Sequence, residues 1–183
     1  YNDQSVLEMH SISLAYQLAD ATHLFANMAD AAARRSLRAR VVEIVLATDI
    51  GPPSGPDRGI QVRAKWDMAF AGGIRVDESA VQRMCILVQL MRAADVGSAM
   101  QPYRIFANWS HRLYLENKKA FGLTQEAHTK TQGPFMGKYC TPLIQLIRTF
   151  PILKGAAEME ENVAKNLERW QSLSVAGQCE DLV

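Results

Sequence analysis

The spacing of apolar residues along the chain is typical of α-helices. Apolar positions recur at intervals of three and four, and no Val- or Ile-rich segment alternates with period two as strands do. The pattern predicts helices that begin at Ser5 and at Pro102 and others over about 31–48, 78–95, 143–150 and about 156–173. The polar stretch 122–140 contains Gly133-Pro134 and predicts a loop. We therefore expect an all-α fold.

The helix ends have recognisable turn chemistry. Ser5 and Glu8 have the spacing of a capping box, in which a serine caps the start of the helix and the side chain of a glutamate three residues later bonds back to the backbone of that serine. The run Gly51–Pro56 should stop the second helix. Thr141-Pro142 resembles a cap followed by a first turn, and Pro151 should end or kink the helix that follows.

The apolar positions also predict which face of each helix is buried. The first helix contains Leu7, Ile12, Leu14, Ala15 and Leu18, and the stripe of the second is Leu37, Val41, Ile44, Val45 and Thr48. The third should bury Val81, Met84, Cys85, Val88 and Met91, and Phe106, Trp109 and Leu113 line one side of the fourth. The last helix should turn Met159, Val163, Leu167 and Trp170 inward.

Composition excludes several classes of protein. The 183 residues contain 20 Lys plus Arg and 19 Asp plus Glu, a net charge of +1, which argues against a nucleic-acid partner held by a broad basic field. No apolar run approaches the roughly 20 residues that cross a bilayer, so we expect no membrane segment. The three cysteines, Cys85, Cys140 and Cys179, are too few and too scattered for a disulfide framework. These features favour a single domain in a reducing, cytoplasmic compartment.

Two aspartates occupy unfavourable positions. Asp95 follows Met91 by four residues and Val88 by seven, which places a carboxylate on an apolar stripe at the negative end of a helix. Asp49 follows Val45 in the same way. A cation would relieve the cost of burying such a charge. The alternative is that each aspartate caps the next turn or pairs with an arginine, and Arg92 is three residues before Asp95.

Four stretches together resemble the catalytic domain of class I cyclic nucleotide phosphodiesterases. The stretch from Tyr1 to His10 is similar to the family segment YND.SVLE.HH, and 37–50 is similar to its LR..V...VLATDM helix. Asp95, in Ala-Asp-Val-Gly-Ser, is followed by Pro102 and Trp109 as in the family. Residues 166–172, Asn-Leu-Glu-Arg-Trp-Gln-Ser, resemble the helix that closes the domain. The order and separations fit from end to end.

The resemblance implies an incomplete compact bundle of helices, with 1–183 as the C-terminal half of the catalytic domain and no separate second domain. In the family, two histidines and two aspartates hold two divalent ions, commonly zinc and magnesium, and a histidine protonates the leaving oxygen. Only Asp95 matches one of these metal ligands. The other three and the acid histidine would precede Tyr1, in a missing N-terminal half. We therefore do not expect this chain alone to retain the two ions.

Other positions are matched one at a time. Glu8 matches a glutamate that orients the acid histidine, although the capping box would also explain it. His10 matches the first of two family histidines, with a structural role as the alternative. Ile50 and Val96 match positions of the nucleotide pocket. Phe106, Trp109 and Leu113 match pocket positions too, with Leu113 on the aliphatic side of the purine clamp, although their helical spacing would equally suit an ordinary core.

Three pocket positions depart from the family. Ser98 replaces an asparagine that contacts nucleotide, and Asn117 lies where the aromatic wall is expected. The glutamine that binds the purine edge is replaced by Thr141 without a gap in the match, or its place is taken by Gln145 with a gap. A hydroxyl cannot offer the paired donor and acceptor of a primary amide.

Three functions remain open. The first hypothesis is part of an enzyme that hydrolyses the cyclic nucleotides cAMP or cGMP to the 5'-monophosphate with the help of metal ions, and that is inactive as this chain alone. The alternative is a non-catalytic phosphodiesterase-like helical protein that acts by binding partners. The third is a helical interaction module whose resemblance to the family is accidental.

Overall fold

A computed structural model describes residues 4–50, 58–150 and 153–175, and these residues form helices joined by turns, with no strand among them. The helices are α1 (Val6–Ala21), α2 (Ala31–Leu46), α3 (Arg58–Phe70), α4 (Ala80–Asp95), α5 (Tyr103–Phe121), α6 (Gln125–Phe135), α7 (Thr141–Arg148) and α8 (Ala156–Val175). A 3₁₀ turn, Gly97–Met100, follows α4, and a π-helical turn, Met136–Cys140, joins α6 to α7. The predicted all-α fold is confirmed.

Four sequence predictions lie outside the described residues. They concern the first three residues of the Tyr1–His10 stretch, the stop at Gly51–Pro56, the effect of Pro151, and Cys179.

The chain divides into two compact units, Tyr1–Arg92 and Ala93–Val183. In the first unit, α1 packs on α2, with the guanidinium of Arg38 4.3 Å from the ring centre of Tyr16. Gln82 ties the α3–α4 connection because its Nε2 donates to the carbonyls of Ala69 and Gly73, each at 2.8 Å, and its Oε1 accepts from Arg75 N at 2.7 Å.

The second unit is built around α8. Helices α5, α6 and α7 and both turns pack against it. Trp170 lies 5.2 Å from Phe106 between ring centres and donates from Nε1 to the carbonyl of Thr129 at 2.9 Å. The predicted inward positions of α8 agree with this, since Val163 and Trp170 are buried and Met159 and Leu167 are half-buried.

The predicted loop over 122–140 is wrong. Thr124 caps α6 by accepting from the backbone N of Ala127, and the helix continues past Pro134 into the π-helical turn. Its inward side includes His128, Gln132, Met136 and Cys140, which recur every four residues, and Thr129 is buried beside His128. Most of these buried side chains are polar, so no apolar stripe marks the helix. Thr141 is accordingly not a cap, since the chain enters α7 without a break, although Pro142 lies in the first turn as predicted.

Helix α3 lies where the apolar pattern predicts no element. Trp66 is its one buried residue among the described side chains, so its stripe is too short to recognise. The predicted buried face of α4 is also partly wrong. Val88 is buried, whereas Val81 and Met91 are exposed, and the polar side chains of Gln82 and Gln89 are buried instead. Gln82 can be buried because its side chain makes three hydrogen bonds to the end of α3 and the α3–α4 connection.

Candidate functional site

The site residues predicted from sequence fall in both units. Glu8 and Ile50 belong to the first unit. The other eight belong to the second: Asp95, Val96, Ser98, Phe106, Trp109, Leu113, Thr141 and Gln145.

The end of α4 and the 3₁₀ turn form one corner of the second unit. Val96 and Met100 are buried, Ser98 is half-buried, and Asp95, the last residue of α4, is exposed. The prediction that Asp95 lies on a buried stripe is therefore wrong, because the carboxylate retains access to water. An exposed carboxylate pays little for burial, so burial does not by itself call for a cation at Asp95. A metal-binding role of Asp95 would have to be supported by the family resemblance instead.

Helix α5 divides its three predicted pocket residues between core and surface. Phe106 is 2% exposed and packs on Trp170, which makes it part of the core. Trp109 and Leu113 are 53% and 45% exposed, one turn apart on the outer surface. The guanidinium of Arg112 lies 5.1 Å from the ring centre of Trp109. An ordinary core role is thus supported for Phe106 alone.

Helix α7 contains both candidates for the residue that would bind a purine edge. Thr141 is half-buried, and its hydroxyl donates to the carbonyl of Met136 at 3.0 Å. Gln145 follows one turn later and is exposed. Because the hydroxyl proton of Thr141 is used within the fold, Gln145 is the better placed of the two to offer both a donor and an acceptor.

In the first unit, the serine predicted to cap α1 has a different partner. The Oγ of Ser5 donates to Oδ2 of Asp49 at 2.7 Å, and Ser5 makes no side-chain cap, so the predicted capping box is wrong. Glu8 is half-buried in the first turn of α1, while His10 and Ile50 are exposed. The pairing with Ser5 also explains how the carboxylate of Asp49 is stabilised at the end of α2.

Sequence reasoning missed a buried polar pair on α5 and α6. Oγ of Ser110 and Nε2 of His128 are 3.0 Å apart, and both side chains are 4% exposed. Burial lowers the pKa of His128, a hydrogen bond to the backbone of Ser110 opposes this shift, and nearby His111 adds to it. The four-residue recurrence of 128, 132, 136 and 140 was the available signal, but it is weak because two of those residues are polar.

A groove of about 1120 Å³ in the first unit contains none of the predicted site residues. Residues of α2, α3 and α4 line it, including Glu43 and Lys65, which form an ion pair at 3.3 Å. Burial raises the pKa of Cys85 on its wall, with a smaller contribution from Glu43 that Lys65 opposes.

Comparison with known proteins decides the family. The sequence model described as 3'5'-cyclic nucleotide phosphodiesterase matches residues 1–163. The chain belongs to this family. The predicted family resemblance is thereby confirmed, on grounds independent of the environment of Asp95.

The relatives of this phosphodiesterase-family chain are considerably longer. It is 24% identical over 192 residues to a probable 3',5'-cyclic phosphodiesterase of Caenorhabditis elegans, covering 95% of this chain and 24% of that protein. It is 27% identical over 111 residues to isoform F of the 3',5'-cyclic-AMP phosphodiesterase of Drosophila melanogaster, covering 60% of this chain and 17% of that protein.

Solved structures show the same fold. The phosphodiesterase domain of the Salpingoeca rosetta rhodopsin phosphodiesterase superposes with a TM-score of 0.75 at 24% identity, covering 97% of this chain and 57% of that one. A second crystal structure, of the phosphodiesterase domain of the RhoPDE fusion protein from the same organism, gives a TM-score of 0.73 and covers 59% of that chain. This phosphodiesterase-family chain therefore spans less than two thirds of each of these two solved domains.

The phosphodiesterase family is generally metal-dependent, but the described residues do not form a metal site by themselves. Across 4–50, 58–150 and 153–175, no three His, Cys, Asp or Glu side chains come together where an ion could be held. One carboxylate at Asp95 is too few ligands for a divalent ion. Within the same ranges, none of the helices has the length and apolar character to cross a membrane.

Proposed function

We propose that this chain is the C-terminal half of a cyclic nucleotide phosphodiesterase catalytic domain, 1–183 without a separate second domain. That domain hydrolyses cAMP or cGMP to the 5'-monophosphate. The observation on which this rests is the family match over residues 1–163, together with a fold that covers 57% of a solved phosphodiesterase domain. The partner of this half is then the histidine-rich first half of such a domain.

Within this proposal, the exposed end of α4 contributes one metal ligand. Asp95 would supply one carboxylate to a pair of divalent ions, zinc and magnesium, whose other ligands belong to the first half of the domain. The chain alone would not hold these ions, since its described residues form no three-ligand group. No catalytic step is therefore assigned to the chain by itself.

The second unit would contribute the nucleotide pocket. Trp109 and Leu113 present exposed apolar surface for a purine ring, and Gln145 offers a primary amide for its polar edge. Val96 and Phe106 would support the pocket from beneath, because both are buried. Ser98 would contact nucleotide through its hydroxyl, and Thr141 would support the wall of α7.

The first unit would contribute two further positions. Glu8 would orient the acid histidine of the first half of the domain. Because Ser5 makes no side-chain cap, the capping box no longer competes as an explanation for this glutamate. Ile50 matches a pocket position of the family, and its exposed side chain is able to contact a ligand.

A second candidate function is a non-catalytic relative that binds protein partners. The observation in its favour is the hydroxyl of Thr141, which is bonded to the carbonyl of Met136 instead of presenting an amide to a nucleotide. Ser98 and Asn117 add to this, since the family has an asparagine and an aromatic residue there.

The test joins the chain to the first half of the Salpingoeca rosetta phosphodiesterase domain and measures cAMP and cGMP hydrolysis with zinc and magnesium present. We expect no turnover by the chain alone and turnover by the chimera. Loss of a group that merely supports a metal ligand costs about 10–100-fold, so Asp95→Ala should cost the chimera at least about 100-fold. Asp77→Ala, at an exposed carboxylate of the first unit, is the matched control and should leave the rate unchanged.

Two results would contradict the proposal. One is turnover by the isolated chain that Asp95→Ala abolishes, because the chain would then hold a complete site. The other is a folded, zinc-loaded chimera in which Asp95→Ala hydrolyses as fast as the parent. A folded, zinc-loaded chimera with no turnover would favour the non-catalytic candidate.

A further inference from the structure

Two asparagines on α8 donate to consecutive carbonyls of the segment that follows α4. Asn166, only 1% exposed, donates from Nδ2 to the carbonyl of Ala99 at 3.0 Å and to that of Gln101 at 2.8 Å. Asn162, one turn earlier, donates to the carbonyl of Met100 at 3.2 Å. Two side-chain amides thus satisfy three successive backbone oxygens that are more than 60 residues away in sequence.

These carbonyls need side-chain donors because the backbone supplies none. The 3₁₀ turn ends at Met100, and Pro102, which follows Gln101, has no N–H. The first donors of α5, Ile105 N and Phe106 N, both bond to the carbonyl of Pro102. Within the described part of the chain, no backbone N–H donates to the three oxygens. A buried carbonyl without a donor is destabilising, so the amide of Asn166 is needed with both of its hydrogens.

The segment held in this way contains one proposed site residue, Ser98, and follows the other, Asp95, at the end of α4. Ala99 and Met100 are buried against α8, whereas Asp95 and Ser98, in the same stretch, are exposed and half-buried. Helix α8 is itself anchored one turn further on, where Trp170 donates to the carbonyl of Thr129. Residues 162, 166 and 170 are spaced four apart and therefore lie on one face of α8. Their side chains donate to backbone oxygens of the turn and of α6.

We propose that Asn166, assisted by Asn162, is a positioning residue that fixes the turn and so orients Asp95 and Ser98 for the nucleotide site. The purpose of this positioning rests on the proposed function, whereas the positioning itself can be measured without catalysis. Asn166 donates to the backbone carbonyls of Ala99 and Gln101, so it acts on the two site residues through the backbone.

The experiment uses the full chain and compares four variants by nuclear magnetic resonance. Asn162→Ala removes one of the three bonds, and Asn166→Ala removes two. Asn166→Asp keeps the shape but replaces two donors by acceptors, which would face carbonyl oxygens. Asn108→Asp makes the same chemical change at an exposed position of α5 and is the control.

The first readout is amide hydrogen exchange within the turn. The amide of Ala99 bonds to the carbonyl of Val96 at 3.0 Å, and that of Gln101 bonds to the carbonyl of Ser98 at 3.3 Å. In Asn162→Ala we expect both amides to exchange about five- to tenfold faster, as loss of one hydrogen bond implies, while the amide of Ile147 in α7 keeps its rate. Larger increases are expected in Asn166→Ala and in Asn166→Asp.

The second readout separates positioning from general stabilisation. The carbon signal of the Asp95 carboxyl and the amide signal of Ser98 should shift in Asn162→Ala and in the Asn166 variants but not in Asn108→Asp. A residue that only stabilised the fold would raise exchange everywhere and leave these signals in place.

The proposal is overturned if exchange rises equally at Ala99 and at Ile147, or if the Asp95 and Ser98 signals do not move in Asn162→Ala. It is also overturned if Asn166→Asp behaves like Asn108→Asp. Should the Asn166 variants fail to fold, Asn162→Ala decides the question alone. None of these measurements requires catalytic turnover. An inactive chimera would therefore count against the proposed function but would not affect the test of positioning.

Discussion

The two units of the chain differ in how completely they bury their apolar residues. In the second unit, Met100, Met136 and Ile144 are all 0% exposed. In the first unit, α2 has no buried residue, and α1 buries only Ile12 and Ala19. Large apolar side chains of α1 remain exposed, namely Val6, Leu7, Met9, Leu14 and Leu18.

The difference shows that the second unit has a core of its own, whereas the first unit has helices with apolar faces in contact with water. So many large apolar side chains exposed on one helix are typical of a surface that another element covers. The proposed first half of the catalytic domain would be that element. The second unit pairs His128 and Asn166 within its own core, and, among its described residues, the large exposed apolar side chains lie on α5, namely Ile105, Trp109, Leu113, Leu115 and Phe121.

The largest expected effect compares the same substitution in both units. Ile144→Ala removes a side chain that is 0% exposed and should lower the free energy of unfolding by about 2–5 kcal/mol, because it leaves a cavity. Ile44→Ala, on half-buried α2, should cost at most about 1 kcal/mol. Both positions are helical, so the gain in helix propensity from alanine cancels. Urea unfolding followed by circular dichroism measures both, and equal losses would show that the cores do not differ.

A smaller effect concerns pH and the polar centre of the second unit. Burial lowers the pKa of His128, so the folded chain resists a proton that the unfolded chain accepts near the usual value of 6.5. The stabilisation by neutral His128 is therefore present above about pH 6.5 and is lost as the pH falls through the lowered pKa. We expect the melting temperature to fall as the pH is lowered below about 6.5.

Two glutamine variants check this assignment. His128→Gln should flatten the dependence of melting temperature on pH, because it removes the titrating ring. His10→Gln, at an exposed histidine of the first unit, should leave that dependence as it is. If the slope survived in His128→Gln, the acid sensitivity would belong to another group.

The contrast between the units also explains how far sequence reasoning could go. The stripe of α2 was predictable because Leu37, Val41 and Ile44 are half-buried at the expected spacing, and the inward positions of α8 were predictable for the same reason. Helix α6 was missed because its buried side chains are polar, and His128 among them is paired with Ser110, a partner that no local pattern reveals.

The sequence could predict which positions belong to the candidate site, but it could not predict which of their side chains are exposed. The family resemblance identified Asp95 from its neighbours in sequence, but only the structure shows that this carboxylate is exposed. It likewise separates buried Phe106 from exposed Trp109, which are three residues apart on one helix. Asn166 was recognised as part of a motif, whereas its role depends on carbonyls more than 60 residues earlier.

The smallest expected effect tests the part-buried hydrogen bond that joins the residue before α1 to the end of α2. Ser5→Ala should cost about 1 kcal/mol, the usual contribution of one hydrogen bond, because Ser5 donates to Asp49. Ser5 has a φ of 45°, and alanine would be strained there to the same degree as serine, so the substitution isolates the hydroxyl. Ser11→Ala, at an exposed position of the same helix, is the control.

A double-mutant cycle distinguishes this contact from the capping box that the sequence predicts. If Ser5 acts through Asp49, the losses in Ser5→Ala and Asp49→Ala are not additive, and their coupling is close to the loss in Ser5→Ala alone. Glu8→Ala should then show no coupling to Ser5→Ala, whereas a capping box would couple those two instead. Coupling to Glu8 and additivity with Asp49 would mean that the first unit is organised by local helix chemistry. The reverse would show that it depends on a contact between the start of α1 and the end of α2.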